Sequence, residues 1–333
     1  MNLILFKMEK VLEKWLFPKN TPNVTLDTLY LQLKNNDFTP VIKAFTDRLE
    51  TIPYSFSKSE QVSGSICFFG GVFTSLLNYG YIENIEGLFT FALCYMLIDH
   101  FLDDNTINPE EKDKCMKEIY LFMSTGEKCD NKLINAAADR YLKLVKEVPE
   151  CQEYIMKLFK SELEGAKVQS SNKSDREIYL RIAEEKGGLT AAVIGSIIGL
   201  NSEKEKEEAY DLGQILQLID DQLDYKDDCT LNIYTLARYD MDHENLDEYV
   251  KYTIMKTGEL TNVYNFFKPI LLLGIILSIH DNPCSVSKEL YQKIKKYDIF
   301  DKNTSKDTLI EWFHDKLYKY IDENMKINIM NKY

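Results

Sequence analysis

Apolar residues recur every three to four positions through most of this 333-residue chain, the spacing that gathers them on one face of an α-helix. The pattern predicts helices over 38–52, 66–80, 85–104, 114–124, 134–148, 151–167, 175–200, 205–225, 245–267 and 308–325. No stretch alternates convincingly at period two, so no strand is predicted. Short polar segments ("NTINPEE", "STGEKCDN", "QSSNKSD", "HDNPCS", "DKNTSKD") separate the apolar runs, and connections of this length join antiparallel helices. With no internal repeat and no long linker, the chain is expected to form one all-α domain over residues 1–333, a single large helical bundle.

The N-terminal "MNLILFKMEKVLEKWLF" carries charges inside its apolar pattern and no small-residue cleavage site. It predicts an amphipathic helix rather than a signal peptide. The longest apolar run, "ILLLGIILSI" at 270–279, is about half the length a membrane span needs and predicts a core helix. No membrane span is expected, and a cytoplasmic location follows. The seven cysteines (Cys67, Cys94, Cys115, Cys129, Cys151, Cys229 and Cys284) are scattered without any CxxC pair. That usage fits a reducing compartment and predicts buried thiols rather than a zinc site or a disulfide framework.

Charge narrows the partners. The net charge is −13 and no Lys/Arg-rich tract appears, which argues against nucleic acid and anionic membrane surfaces. A multivalent cation suits the chain better, because its acids cluster at the ends of its most apolar helices. "DDQLDYKDD" (220–228) follows "LGQILQLI" and places Asp220, Asp224 and Asp228 in one helical column, with Asp221 beside Asp224. "LIDHFLDD" (97–104) places Asp99 and Asp103 four apart, with Asp104 adjacent. Each cluster alone reads equally as a solvated acidic helix end. Facing each other across a bundle, the two would bind hard divalent ions, and Mg²⁺ fits because it takes oxygen ligands and completes its shell with water and phosphate. A di-iron centre needs a Glu-x-x-His pair from each of two helices, and this chain has one such pair, Glu311 with His314. His100 shows no ligand spacing with His243, His280 or His314 and is expected at the rim.

Two aspartate-rich motifs about 120 residues apart in an all-α chain, the second written "LGQILQLIDDQLDYKDD", resemble those of the trans-isoprenyl diphosphate synthases and of the class I terpene synthases that share their fold. The resemblance spans roughly residues 60–240 and includes "YLRIAEEKGGLTAAVIGSIIGL" (179–200), which looks like the family's helix with a diphosphate-binding lysine before a small-residue break. In "DHFLD" a histidine stands where the common first motif has its second aspartate. The resemblance implies an isoprenoid-synthase bundle with a central apolar cavity, a prenyl diphosphate substrate and a homodimer. It also implies Mg²⁺, three ions once substrate is bound, on Asp99, Asp103, Asp104, Asp220, Asp221, Asp224 and Asp228, with Asp99, Asp103, Asp220 and Asp224 essential to catalysis. Lys186 would contact the diphosphate, with Arg181 and Lys226 as further candidates; the plainer alternative for each is a surface helix residue or ion pair.

Chain-elongating members bind a second diphosphate through a Gly-Lys-Arg run before the first motif and paired arginines after it. Here those stretches read "FSKSEQVSGSICFF" and "DDNTINPEEKDK", and a diphosphate without cationic partners binds poorly. The departure favours a terpene synthase that ionises one prenyl diphosphate, farnesyl diphosphate by expectation, and releases a sesquiterpene hydrocarbon or alcohol. The one, five, nine spacing of Asp220, Asp224 and Asp228 also matches the cyclase metal motif, although aspartates replace its Asn and Ser. Chain elongation, a head-to-head condensation like that of squalene or phytoene synthases, and an inactive partner subunit are the alternatives. Phe91 and Tyr95, two turns and one turn before Asp99, and Phe69 and Phe73 on the preceding helix would line the cavity; an aromatic stripe at that spacing reads equally as plain core.

Overall fold

In a computed structural model the chain is described at residues 83–103, 107–127, 132–170, 174–261 and 286–295, and at scattered positions between 45 and 75 and between 264 and 279. The helices expected at the N-terminus and over 308–325, together with Phe69, Phe73, Asp104, Cys129 and Cys284, lie outside the described residues, as do the side chains of His100 and Asp103. Among the described residues there are ten helices and no strand. They are α1 (Ile85–Asp103), α2 (Pro109–Thr125), α3 (Lys132–Glu147), α4 (Cys151–Gln169), α5 (Arg176–Ile197), α6 (Glu203–Leu223), α7 (Tyr225–Leu231), α8 (Leu236–Asp242), α9 (Leu246–Glu259) and α10 (Lys288–Lys295). No described helix is long and apolar enough to cross a membrane.

Helix α1 is apolar nearly all round. Leu88, Phe89, the run from Phe91 to Cys94, and Met96 to Ile98 are all buried, which makes it a core helix. Local signals set several boundaries. Asn108 accepts the Glu111 amide at 2.8 Å ahead of Pro109, and Gly126 closes α2 at φ 79°, a left-handed conformation that glycine adopts without a Cβ clash. Ser202 and Glu205 form a reciprocal capping box at the start of α6.

Helix α5 is the hub: it packs most extensively on α6 and α4, and also on α1 and α8. The contact with α6 is backbone to backbone. A Cβ on Gly187 would lie 2.2 Å from the Gly213 carbonyl oxygen, and one on Gly213 would lie 2.1 Å from that of Gly187. The expected break at Gly187-Gly188 is therefore absent: α5 runs unbroken to Ile197. Each glycine costs about 1 kcal/mol of helix propensity, and the close approach of α6 offsets it by packing.

Other pairs hold α8 and α9 to this core. Arg176 grips the fully buried Asp240 through Nε and Nη2, both at 2.7 Å. The Tyr249 hydroxyl donates to the Leu218 carbonyl. Lys256 reaches Glu184 on α5 at 2.8 Å and Gln214 on α6 at 2.7 Å.

Several boundaries differ from expectation, among them the start of α2 at Pro109 instead of 114 and the unanticipated α10. Helix α6 stops at Leu223, and α7 restarts at Tyr225 with Asp224 as its cap. Helix α9 ends at Glu259 because Leu260 turns extended, at ψ 140°. Between α6 and α9 the short helices α7 and α8 appear, with no apolar repeat long enough to announce them. The cysteines differ too. Cys94, Cys115 and Cys151 are buried and Cys67 is half-buried, but Cys229 is exposed on α7, a short helix with only Asp228 buried.

Candidate functional site

The acidic end of α6 is built by its glycine crossing. Gly213 fixes the face that meets α5; one turn on, Gln217 lies on that face, and its amide donates to Asp221 Oδ1 at 2.9 Å. Beyond Leu223 the backbone bonds Asp224 N to Asp220 O and Asp228 N to Asp224 O, each 2.9 Å, carry the helical step across the break. The aspartates do not share one environment, however. Asp221 and Asp228 are buried, whereas Asp220 and Asp224 are open to solvent. Asp228 is held by the Thr235 hydroxyl, which donates to its Oδ2 at 3.0 Å. Behind it Arg238 donates to the Ile233 carbonyl at 3.0 Å and lies over the Tyr234 ring, bracing the end of α7.

Asp99 of the first cluster acts on Asp220 of the second. The Asp220 carboxyl is pushed up to about 7, first by the protein crowded around it and then by Asp224 and Asp99, with Lys186 opposing and Asp228 adding to the rise. Asp220 is at once open to solvent and closely surrounded, so an ion can reach it. Burial pushes Asp221 up to about 8; the Gln217 bond and Lys186 oppose this, and Asp220 and Asp228 reinforce it. Asp99, half-buried near the end of α1, therefore lies within electrostatic reach of the second cluster.

Lys186 of α5 acts on Asp220 and Asp221. Its Nζ is 3.0 Å from Glu162 Oε2 of α4, and the two side chains are only 12% and 5% exposed. Tyr95 belongs to the same group. Its phenol is held well above the ordinary range by burial and then by Asp99, Glu162, Cys67 and Asp220, so it stays protonated. Burial and Asp99 likewise push the Cys67 thiol up to about 12, which leaves it a poor nucleophile. Phe91 is buried, its ring 6.0 Å from that of Tyr95.

Not every expected residue joins this group. Arg181 is exposed and pairs with Glu164 and Glu185 on the outer faces of α4 and α5. Lys226 is exposed on α7, and neither is among the leading charges acting on Asp220 or Asp221. Among the described residues no three His, Cys, Asp or Glu side chains converge tightly enough to hold a metal ion by themselves. A cavity of about 480 Å³ lined by Tyr120, Met156 and Lys160 lies elsewhere, between α2 and α4.

Glu162 and Gln217 were not anticipated from the sequence, yet Glu162 had a visible signal. It continues the buried stripe of Ile155, Leu158 and Phe159, where a charge needs a partner.

No protein-family model matches this chain, and no curated protein matches it.

Proposed function

We propose that this chain is a class I terpene synthase of the isoprenoid-synthase fold, which ionises one prenyl diphosphate, farnesyl diphosphate by preference, and releases a sesquiterpene. The observation that supports this reading is that Asp99 acts on Asp220, and Lys186 on both Asp220 and Asp221, from helices whose aspartates lie about 120 residues apart.

The donor set fits Mg²⁺. It consists of carboxylate oxygens, two of them lifted to about 7 and about 8, by burial first and by neighbouring carboxylates after it, and a dication would favour their ionised forms. Spread carboxylates suit ions that keep several waters and take their remaining ligands from a diphosphate rather than from an all-protein cage. Asp99, Asp103 and Asp104 on one wall and Asp220, Asp221, Asp224 and Asp228 on the other would hold three such ions. Bound Mg²⁺ would neutralise the departing diphosphate as its carbon–oxygen bond breaks.

The chain's own groups would do the rest. Lys186 brings an ammonium to the diphosphate oxygens. Asp228, fixed by Thr235, keeps its carboxylate aimed without a rotamer search. Phe91 and Tyr95 offer aromatic faces to the carbocation, and the apolar packing of α1 keeps water from it. Tyr95, one turn before Asp99, would by the family resemblance limit the cavity to a fifteen-carbon chain.

Purified protein incubated with Mg²⁺ and farnesyl diphosphate, with and without isopentenyl diphosphate, tests the assignment. A volatile sesquiterpene formed without isopentenyl diphosphate is the expected result. Longer prenyl diphosphates appearing only with isopentenyl diphosphate would overturn it in favour of chain elongation. Asp99→Ala and Asp220→Ala should each abolish turnover while the helical circular dichroism persists; wild-type rates in both would remove the metal assignment.

A further inference from the structure

A lysine near several acids has more than one carboxylate to pair with. The Lys186 ammonium is 3.0 Å from Glu162 Oε2 of α4, and both side chains are almost fully enclosed. We propose that Glu162 is a positioning residue: it tethers the Lys186 ammonium on the α4 side of the site, so that the lysine faces an incoming diphosphate without neutralising the carboxylates of α6.

Geometry and chemistry both support the tether. Helices α4 and α5 pack closely along their length, so the Glu162 carboxylate is carried on a rigid neighbour rather than a loop. A lysine stem has four rotatable carbons and about 2 kcal/mol of rotamer entropy, so without a fixed partner its ammonium wanders to the nearest negative charge. Asp220 and Asp221 are among the groups within its electrostatic reach. A lysine settled there would compete with the divalent ion for the same oxygens and leave the diphosphate with one donor fewer. Placing a negative charge near an anion site looks unfavourable, and it would be if the carboxylate acted alone. Its effect must therefore run through Lys186.

This role rests on the diphosphate-binding reading, and binding of inorganic pyrophosphate in the presence of Mg²⁺ separates the two by titration calorimetry. Partners that orient a binding group typically contribute tenfold to a hundredfold, so E162A should weaken binding by about tenfold or more. E162Q keeps an oxygen acceptor for the ammonium and should lose less. In a K186M background, itself weakened, E162A should weaken binding no further, because there is no ammonium left to stray. Should E162A not fold by circular dichroism, E162Q compared with E162Q/K186M supplies the same contrast. Equal losses from the Glu162 substitution with and without Lys186, or unchanged binding in folded E162A, would overturn the tether while the proposed function stands. Failure of the wild-type protein to bind Mg²⁺ and pyrophosphate at all would overturn both.

Discussion

Asp221→Asn should stabilise this protein in the absence of metal, although it removes a charged residue from the candidate site. Asp221 is buried, 6% exposed, with its pKa pushed from 3.8 to about 8. An acid whose pKa rises on folding takes up a proton as the chain folds, so its penalty is absent below 3.8 and grows as pH climbs toward about 8. At about 1.4 kcal/mol for each pH unit, the wild-type side chain costs about 4 kcal/mol at pH 7. Asparagine never ionises, and its oxygen can keep the bond from Gln217, now 2.9 Å from Asp221 Oδ1. Burying the added amide nitrogen takes back about 1–3 kcal/mol, leaving a gain on the order of 2 kcal/mol near neutrality. Near pH 4.5 the ionisation cost is only about 1 kcal/mol, and the gain should vanish or reverse. Urea denaturation in a chelator at pH 4.5 and 7.5 reads the difference directly. A stability change that is the same at both pH values, or a loss at pH 7.5, would refute the burial of an uncompensated carboxyl at this position. Added Mg²⁺ should then stabilise the wild type and leave the variant nearly unchanged, because the carboxylate that rewards the ion is gone.

Two further substitutions test how the site is held. Gly213→Ala places a methyl 2.1 Å from the Gly187 carbonyl oxygen; backbone cannot yield as a flexible side chain can, so α5 and α6 must separate, at a cost of about 3 kcal/mol or more in urea denaturation. A wild-type midpoint would show that the helices do not cross at these glycines. Thr235→Val removes the hydroxyl that donates to the buried Asp228 Oδ2, which should destabilise the metal-free protein by about 1.5–3 kcal/mol and raise the Mg²⁺ concentration needed for half-maximal turnover; an unchanged Mg²⁺ dependence would remove Asp228 from the ion-binding set.

Much of the fold is legible because its helices bury one continuous face. The apolar spacing of α1, α4 and α5 survives from sequence to structure with ends shifted by a few residues. The failures have local causes. Apolar periodicity runs through Ile215, Leu218 and Ile219 to Leu223 without a warning residue, so nothing marks the break at Asp224. Helix α9 ends at Leu260 inside a pattern that continues to Phe267. Gly187 and Gly188 stand out as small residues, but a glycine pair specifies either a break or a close approach. Only Gly213, on a different helix and 26 residues away, decides between them, and periodicity cannot say that the two meet.

The candidate site divides along the same line. Asp99 and Asp220 could be paired from sequence because each ends a strongly apolar helix, and a buried face that ends in carboxylates demands a counter-charge wherever it leads. The same logic, applied to α4, would have found Glu162. A carboxylate in the stripe of Ile155, Leu158 and Phe159 must meet a cation inside the protein, and α5, which follows directly, carries Lys186 beside the glycines that admit it to the interior. Arg181, by contrast, was legible only as a positive charge near a motif. It lies five residues before Lys186, more than a full turn and on another face, which takes it to Glu164 and the solvent. What distinguishes a functional cation from a surface one here is the face of the helix it occupies, and that is set by the position of Gly187, which presses one side of α5 against its neighbour.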